Sequence, residues 1–285
     1  MTSTGYPLIV NKSHHVGGSR YIYKFGRSVD FSNVDIALGS CSIYYSWRNI
    51  TSALNNNSFQ IIHPKTGGTD TKTITLPDGG YEIADINNYL RWYLITNGYY
   101  IQNNTTLEQK VFCELRVNAS TYAIEFVGYP TTAVPSGWTA GSAYSYDGVG
   151  NTPQLVITNN NFGVIIGYVA GTFPAIATNV LNTTSSTLTP VITQVLNVLL
   201  TLDAVDNPFA PNSNVIHALS SAGTSYGHLI TSEPTSLAFI PCQKTSRQEI
   251  ALQFVDQNML PLEMIDFDIV VKLILSRKED INPPK

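Results

Sequence analysis

The chain has 285 residues, 43% of them hydrophobic and 13% charged, which is enough apolar material for one large core or two small ones and excludes disorder throughout. Lys and Arg number 16 against 20 Asp and Glu, so the formal net charge is -4 at pH 7. Such a chain does not live by wrapping phosphates, and nucleic acid contact is expected to be weak or absent.

The polar content comes instead from 16 Tyr, 20 Gly and many Asn, Thr and Ser, the surface of a β-rich protein. Cys41, Cys113 and Cys242 are far apart and odd in number, so they signal neither a disulfide framework nor a zinc site and read as buried thiols. The first residues lack a basic segment followed by an apolar one, and no apolar run reaches about 18 residues. The expectation is a soluble protein with no membrane span, made in a cytoplasm-like compartment. Asn-x-Ser/Thr triplets at Asn11, Asn49, Asn118 and Asn182 then follow from composition and are given no role.

In chain order, residues 1–18 hold scattered apolar residues and a Gly17-Gly18 break, and read as an N-terminal arm outside the fold. Lys12, His14, His15 and Arg20 are its candidate inter-subunit contacts. The main domain is expected over 19–277. It starts with strands over 21–25 and 34–45, then a hairpin from 58–63 to 73–76 around the loop 64–68. Ile86, Tyr89, Leu90, Tyr93 and Leu94 fall at helical spacing, with Glu82 and Asp85 near the start and Asn97-Gly98 as the stop, which predicts one short amphipathic helix. Strands resume over 99–102, 111–117 and 121–127. Residues 128–152 show no apolar period and read as an elaborated exposed loop. A strand over 155–157 follows, and the apolar run 161–169, bracketed by Gly163 and Gly167, reads as a buried turn plus strand.

A polar insertion over about 172–190 precedes 191–205, read as a strand with a buried helix as the alternative. Further strands are expected over 215–219, 238–240, 250–254 and 267–275, and 278–285 form a charged, proline-containing C-terminal tail. The economical architecture is all-β: an antiparallel two-sheet sandwich or jelly roll of about eight strands, with one short helix and long loop insertions.

Chemistry is not signalled. There is no GxSxG, and His63, His217 and His228 have no motif partner. His14 and His15, adjacent on an extended chain, point opposite ways and predict no metal site. Asp266 and Asp268, beside Glu263, could be read as a carboxylate pair or a calcium site on one strand face, but solubilising edge charges are the simpler reading. Gly-Gly pairs at 67–68 and 79–80 lack a phosphate-loop pattern and read as turns. No catalytic residue, metal or cofactor is expected, and the protein is not expected to be an enzyme. Trp138, Tyr144 and Tyr146 could form an aromatic platform for a partner or a sugar, which motivates the alternative of a viral or cell-surface carbohydrate- or receptor-binding sandwich.

Several pieces in order resemble the capsid proteins of virophages and Maverick/Polinton-like elements, specifically their penton, a minor capsid protein with a single jelly roll. Asp78-Gly-Gly-Tyr-Glu-Ile-Ala-Asp-Ile-Asn-Asn-Tyr-Leu90 is similar to that family's G-Y-x-I-x-D-I-N-x-Y-I helix start, after a strand over 73–76. Phe162-Gly-Val-Ile-Ile-Gly-Tyr168 is similar to its LLGF element, with Tyr for Phe and Ile for Leu. Residues 250–262 followed by 268–275 are similar to its closing strand pair with an Asp-Gln turn at Asp256. The resemblance implies a structural virion protein, a vertex capsomer that assembles as a homopentamer and contacts major capsid protein capsomers, with another minor or cement protein as a further partner. It also implies synthesis in the host cytoplasm or a virus factory, and makes the 128–152 loop a candidate outward tip.

Overall fold

The computed structural model describes residues 5–192, 195–209 and 214–277. They fall into two compact units, Met1–Trp47 with Val195–Lys285, and Arg48–Gln194. The chain runs through β1 (Gly5–Asn11), a short 3-10 turn, β2 (His15–Gly17), β3 (Arg20–Asp30) and β4 (Val34–Tyr44) before crossing into the second unit. There it forms β5 (Ser58–Lys65), β6 (Gly68–Thr75), α1 (Ile83–Thr96), β7 (Ile101–Asn103), β8 (Gln109–Lys110), β9 (Cys113–Asn118) and β10 (Ala123–Gly128). It continues through β11 (Trp138–Ala140), β12 (Gln154–Ile157), α2 (Asn160–Ile166), β13 (Gly171–Phe173) and β14 (Asn182–Ser185). Back in the first unit come β15 (Asn197–Leu202), β16 (Val215–Ser220), β17 (Leu229–Ser232), β18 (Ile240–Pro241), β19 (Ser246–Val255) and β20 (Ile269–Arg277).

The first unit is a jelly roll, established by which strands pair. Leaving out β2 and β18, the first strand pairs with the last (β1 with β20), the second with the second-last (β3 with β19), the third with the third-last (β4 with β17), and β15 with β16, all antiparallel. That nested pairing is a long hairpin rolled into two sheets, β1-β20-β4-β17 and β16-β15-β19-β3-β2. Period-two alternation drives it, because Ile269, Val271 and Leu273 of β20 and Ile250, Leu252 and Phe254 of β19 all turn inward. The register slips by one between Lys272 and Leu273, where Gly39 of β4 lies so close to the Lys272 carbonyl and the Ile274 side chain that an added Cβ would crowd both.

The N-terminal segment is not wholly outside the fold. Gly5–Asn11 forms the edge strand of the first sheet, with Leu8 and Val10 in its core. Two inward residues separated by Ile9 make a short strand whose sequence signal is easily lost among isolated apolar residues. β17 carries no clear sequence signal either, since Leu229-Ile-Thr-Ser232 is short and contributes Ile230 alone to the core. Residues 1–4 and the tail 278–285 lie outside the described residues.

In the second unit, β13-β12-β5-β6 form one sheet and β14-β10-β9 and β11-β7-β8 two smaller ones. α1 buries Ile83, Ile86, Leu90 and Leu94 as its spacing predicts, with Glu82 as N-cap, Asn97 as C-cap and Gly98 left-handed at φ 80°. The run read as turn plus strand is instead α2. Asn159 caps it by accepting from the N–H groups of Asn161 and Phe162, and Gly167 ends it at φ 78°. Phe162, Ile165 and Ile166 make an i, i+3, i+4 stripe that the two glycines concealed. Gly163 is required, because a Cβ there would lie 2.2 Å from the Tyr168 carbonyl oxygen.

Candidate functional site

The aromatic loop is organised by inward hydrogen bonds rather than by an exposed platform. Asp147 accepts from the N–H groups of Val149, Gly150 and Asn151 and from the Asn151 side chain. Burial would raise its pKa, but these donors outweigh burial and hold the carboxyl below the ordinary range. Tyr144 is buried: its hydroxyl donates to the Thr132 carbonyl at 2.5 Å and accepts from the Thr132 N–H at 3.0 Å, and its ring stacks on Phe112 at 5.1 Å. Trp138 lies in β11, paired with Asn103 of β7, and is half-buried, as is Tyr146, whose carbonyl accepts from the Thr66 hydroxyl. The three aromatics therefore do not form one exposed surface, and Tyr144 belongs to the core.

Behind Tyr144 lies His63, 3% exposed, among the rings of Tyr99, Phe112 and Tyr144. Its Nδ1 is 3.0 Å from the Pro64 carbonyl, while Nε2 is buried without a partner. Burial lowers its pKa, against the opposing charges of Asp70 and Asp147. The Tyr99 hydroxyl donates to Asp70, which also pairs with Lys72 at 3.3 Å. Sequence reasoning found His63 but not this enclosure, because its neighbours come from four separate segments.

At the N-terminal segment the candidate residues are tied locally. Lys12 pairs with Asp268 at 2.9 Å on the surface. His14 stacks on Tyr23 at 5.1 Å, and its Nδ1 is 3.0 Å from the Asn11 side-chain oxygen. His15 stacks on Phe267 at 4.1 Å, with Nε2 3.0 Å from the Gly18 carbonyl. Arg20 begins β3 and is exposed. Asp266 and Asp268 precede β20 and are not on a strand: the Asp266 side chain accepts from the Asp268 N–H at 2.9 Å, so this pair is a turn with one ion pair. Among the described residues no group of three or more His, Cys, Asp or Glu is placed to hold a metal ion. Burial pushes the thiols of Cys41 and Cys113 up to about 12, so they are not nucleophiles at neutral pH.

No protein-family model and no curated protein sequence matches the chain. Among solved structures it is similar to the mavirus penton protein, at a TM-score of 0.46 and 7% identity over 96% of this chain and 98% of that one. It is also similar to a chain of the Sputnik virophage structure, at a TM-score of 0.41 and 10% identity over 97% and 98% of the two chains. The jelly-roll assignment rests on the nested strand pairing within the first unit.

Proposed function

We propose that this chain is a structural virion protein, a penton capsomer that closes as a homopentamer at the vertex of an icosahedral capsid and contacts major capsid protein capsomers. The observation that carries the reading is the jelly roll itself with the outer face of its β1-β20-β4-β17 sheet. Cross-strand registers set Pro7, Ile274 and Ala37 in one row, Asn11, Val270 and Ser42 in another, and Tyr44 beside Leu229. Ile9, Val270 and Leu229 are each about half exposed, and formal charge on the face is confined to Lys272 and, at one end, Asp35. A face of low charge with exposed aliphatics suits packing against neighbours, and cyclic closure keeps such an assembly finite. The segments 78–90, 162–168, 250–262 and 268–275, in that order, support the same reading. Trp138 and Tyr146 remain candidate partner contacts, and Lys12 and Arg20 candidate inter-subunit contacts. The role requires no catalysis.

Light scattering of the purified protein across a concentration and salt series, alone and with a major capsid protein, tests this. A particle of five 31.2 kDa chains is expected. A trimer, or a single chain that ignores the added major capsid protein, would contradict the reading.

A further inference from the structure

Along β3, Tyr21, Tyr23, Phe25 and Val29 pack on the sandwich interior, and along β20 so do Ile269, Val271, Leu273 and Leu275; Arg27, in the stretch where the β3–β19 register breaks, and Arg277, at the end of β20, line the opening beside them. Two guanidiniums thus line an opening whose other walls are mostly apolar or aromatic. Tyr6 ends the corresponding row of β1 after Val10 and Leu8, and is 60% exposed. All three rows run out at one opening between the sheets, a cleft of about 400 Å³ lined by Tyr6, Tyr23, Phe25, Arg27, Leu275 and Arg277.

Two features specify what fits there. The first is charge. Arg27 has no partner among the described residues, and Arg277 makes no ion pair there, although it feels the charge of Asp30, which accepts from the Ser32 N–H and hydroxyl through one oxygen at 3.0 and 2.7 Å. The cleft therefore pairs an aromatic floor with cationic capacity that the described chain leaves unused, and a carboxylate meets a guanidinium with paired hydrogen bonds. The second feature is the backbone. β1 ends its sheet, and β2 covers β3 only at Arg20 and Tyr21, so beyond that point no described strand pairs with either flanking edge. Pro7 lacks an N–H, which leaves β3 as the fuller edge. An extended peptide can satisfy such edges, whereas a fatty-acid chain would leave them unpaired.

The geometry points to this opening as a docking site for an extended peptide segment carrying an aromatic or aliphatic side chain and, two residues along on the same face, a carboxylate. The inference rests on the jelly roll alone and does not need the capsid reading.

Fluorescence anisotropy with capped nine-residue peptides alternating Val and Thr around a central Phe, with Glu, Gln or Lys two positions after it, tests the site on the full chain. Saturable binding of the Glu peptide is expected, weakened about tenfold in the Gln peptide and in the combined Arg27→Gln and Arg277→Gln variant, whose thermal midpoint stays at that of the parent. Equal binding of the three peptides, binding unaffected by the double variant, or no saturable binding would overturn the proposal. So would tighter binding of dodecanoate than of the Glu peptide, which would make the site a lipid site. An affinity that rises when Glu279 and Asp280 are changed to Gln and Asn would assign the opening to the chain's own tail and equally overturn a separate partner. A loss of peptide binding in a protein that still forms pentamers would break this inference and leave the capsid reading standing.

Discussion

In the jelly roll, β3, β4, β19 and β20 are 9 to 11 residues long and bury alternate side chains in one aliphatic and aromatic core. In the inserted unit most strands are short, and buried polar side chains hold the connections. Asn49 donates from Nδ2 to the Tyr81 and Ile192 carbonyls at 2.8 Å and accepts the Tyr81 N–H, and Asn56 accepts the Thr51 N–H. Tyr168 ties β10 to β14 in the same way, its hydroxyl accepting the Phe126 N–H and lying 2.6 Å from the Thr184 carbonyl. The two units teach that apolar periodicity suffices where strands are long, and that specific hydrogen bonds take over where they are not.

Substitutions can sharpen that contrast. The largest effect is expected for Phe254→Ala, which empties a fully buried site packed edge-on to Tyr21. Urea denaturation should show a loss of about 3–5 kcal/mol. Tyr168→Phe should cost about 1–3 kcal/mol by the same measurement, because it leaves a buried N–H and carbonyl in the inserted unit unpaired. Tyr21→Phe in the jelly roll removes only a 3.2 Å bond to the Phe267 carbonyl and should cost less, about 0.5–1.5 kcal/mol. Equal losses for the two tyrosines would break the contrast.

A pH series probes the inserted unit further. Burial holds His63 below its ordinary 6.5, so the unfolded chain binds more protons there than the folded one. Stability from this group is complete above about pH 6.5 and is lost as pH falls through that value towards the folded pKa. His217 is shifted the same way by burial, so His63→Phe should flatten the acid slope without abolishing it. At the bottom of the scale, Lys12→Ala should leave the thermal midpoint unchanged, since the Lys12–Asp268 pair is exposed and screened.

The same contrast explains what the sequence reveals. β3, β4, β19, β20 and α1 are legible because several inward residues repeat at period 2 or 3.6. β11, β14 and β17 are not, because their three or four residues bury at most one apolar side chain each, whereas the equally short β12 buries Leu155 and Ile157. α2 is hidden by Gly163, a helix glycine demanded by a carbonyl five residues along the chain. Of the candidate residues, Tyr144 looks like a loop aromatic until its bonds to Thr132 turn it inward. Arg27 and Arg277 are legible in retrospect as cations beside apolar rows, but only the strand pairing brings those rows to one opening.

Both proposals need the chain's two ends to close one sandwich across the inserted unit, with Gly5–Asn11 in the sheet. Amide hydrogen exchange resolved by peptide tests this most directly. Protection of β1 amides together with those of its partner β20 is the expected result. Exchange over residues 5–11 as fast as in an unpaired peptide, with β20 still protected, would contradict it.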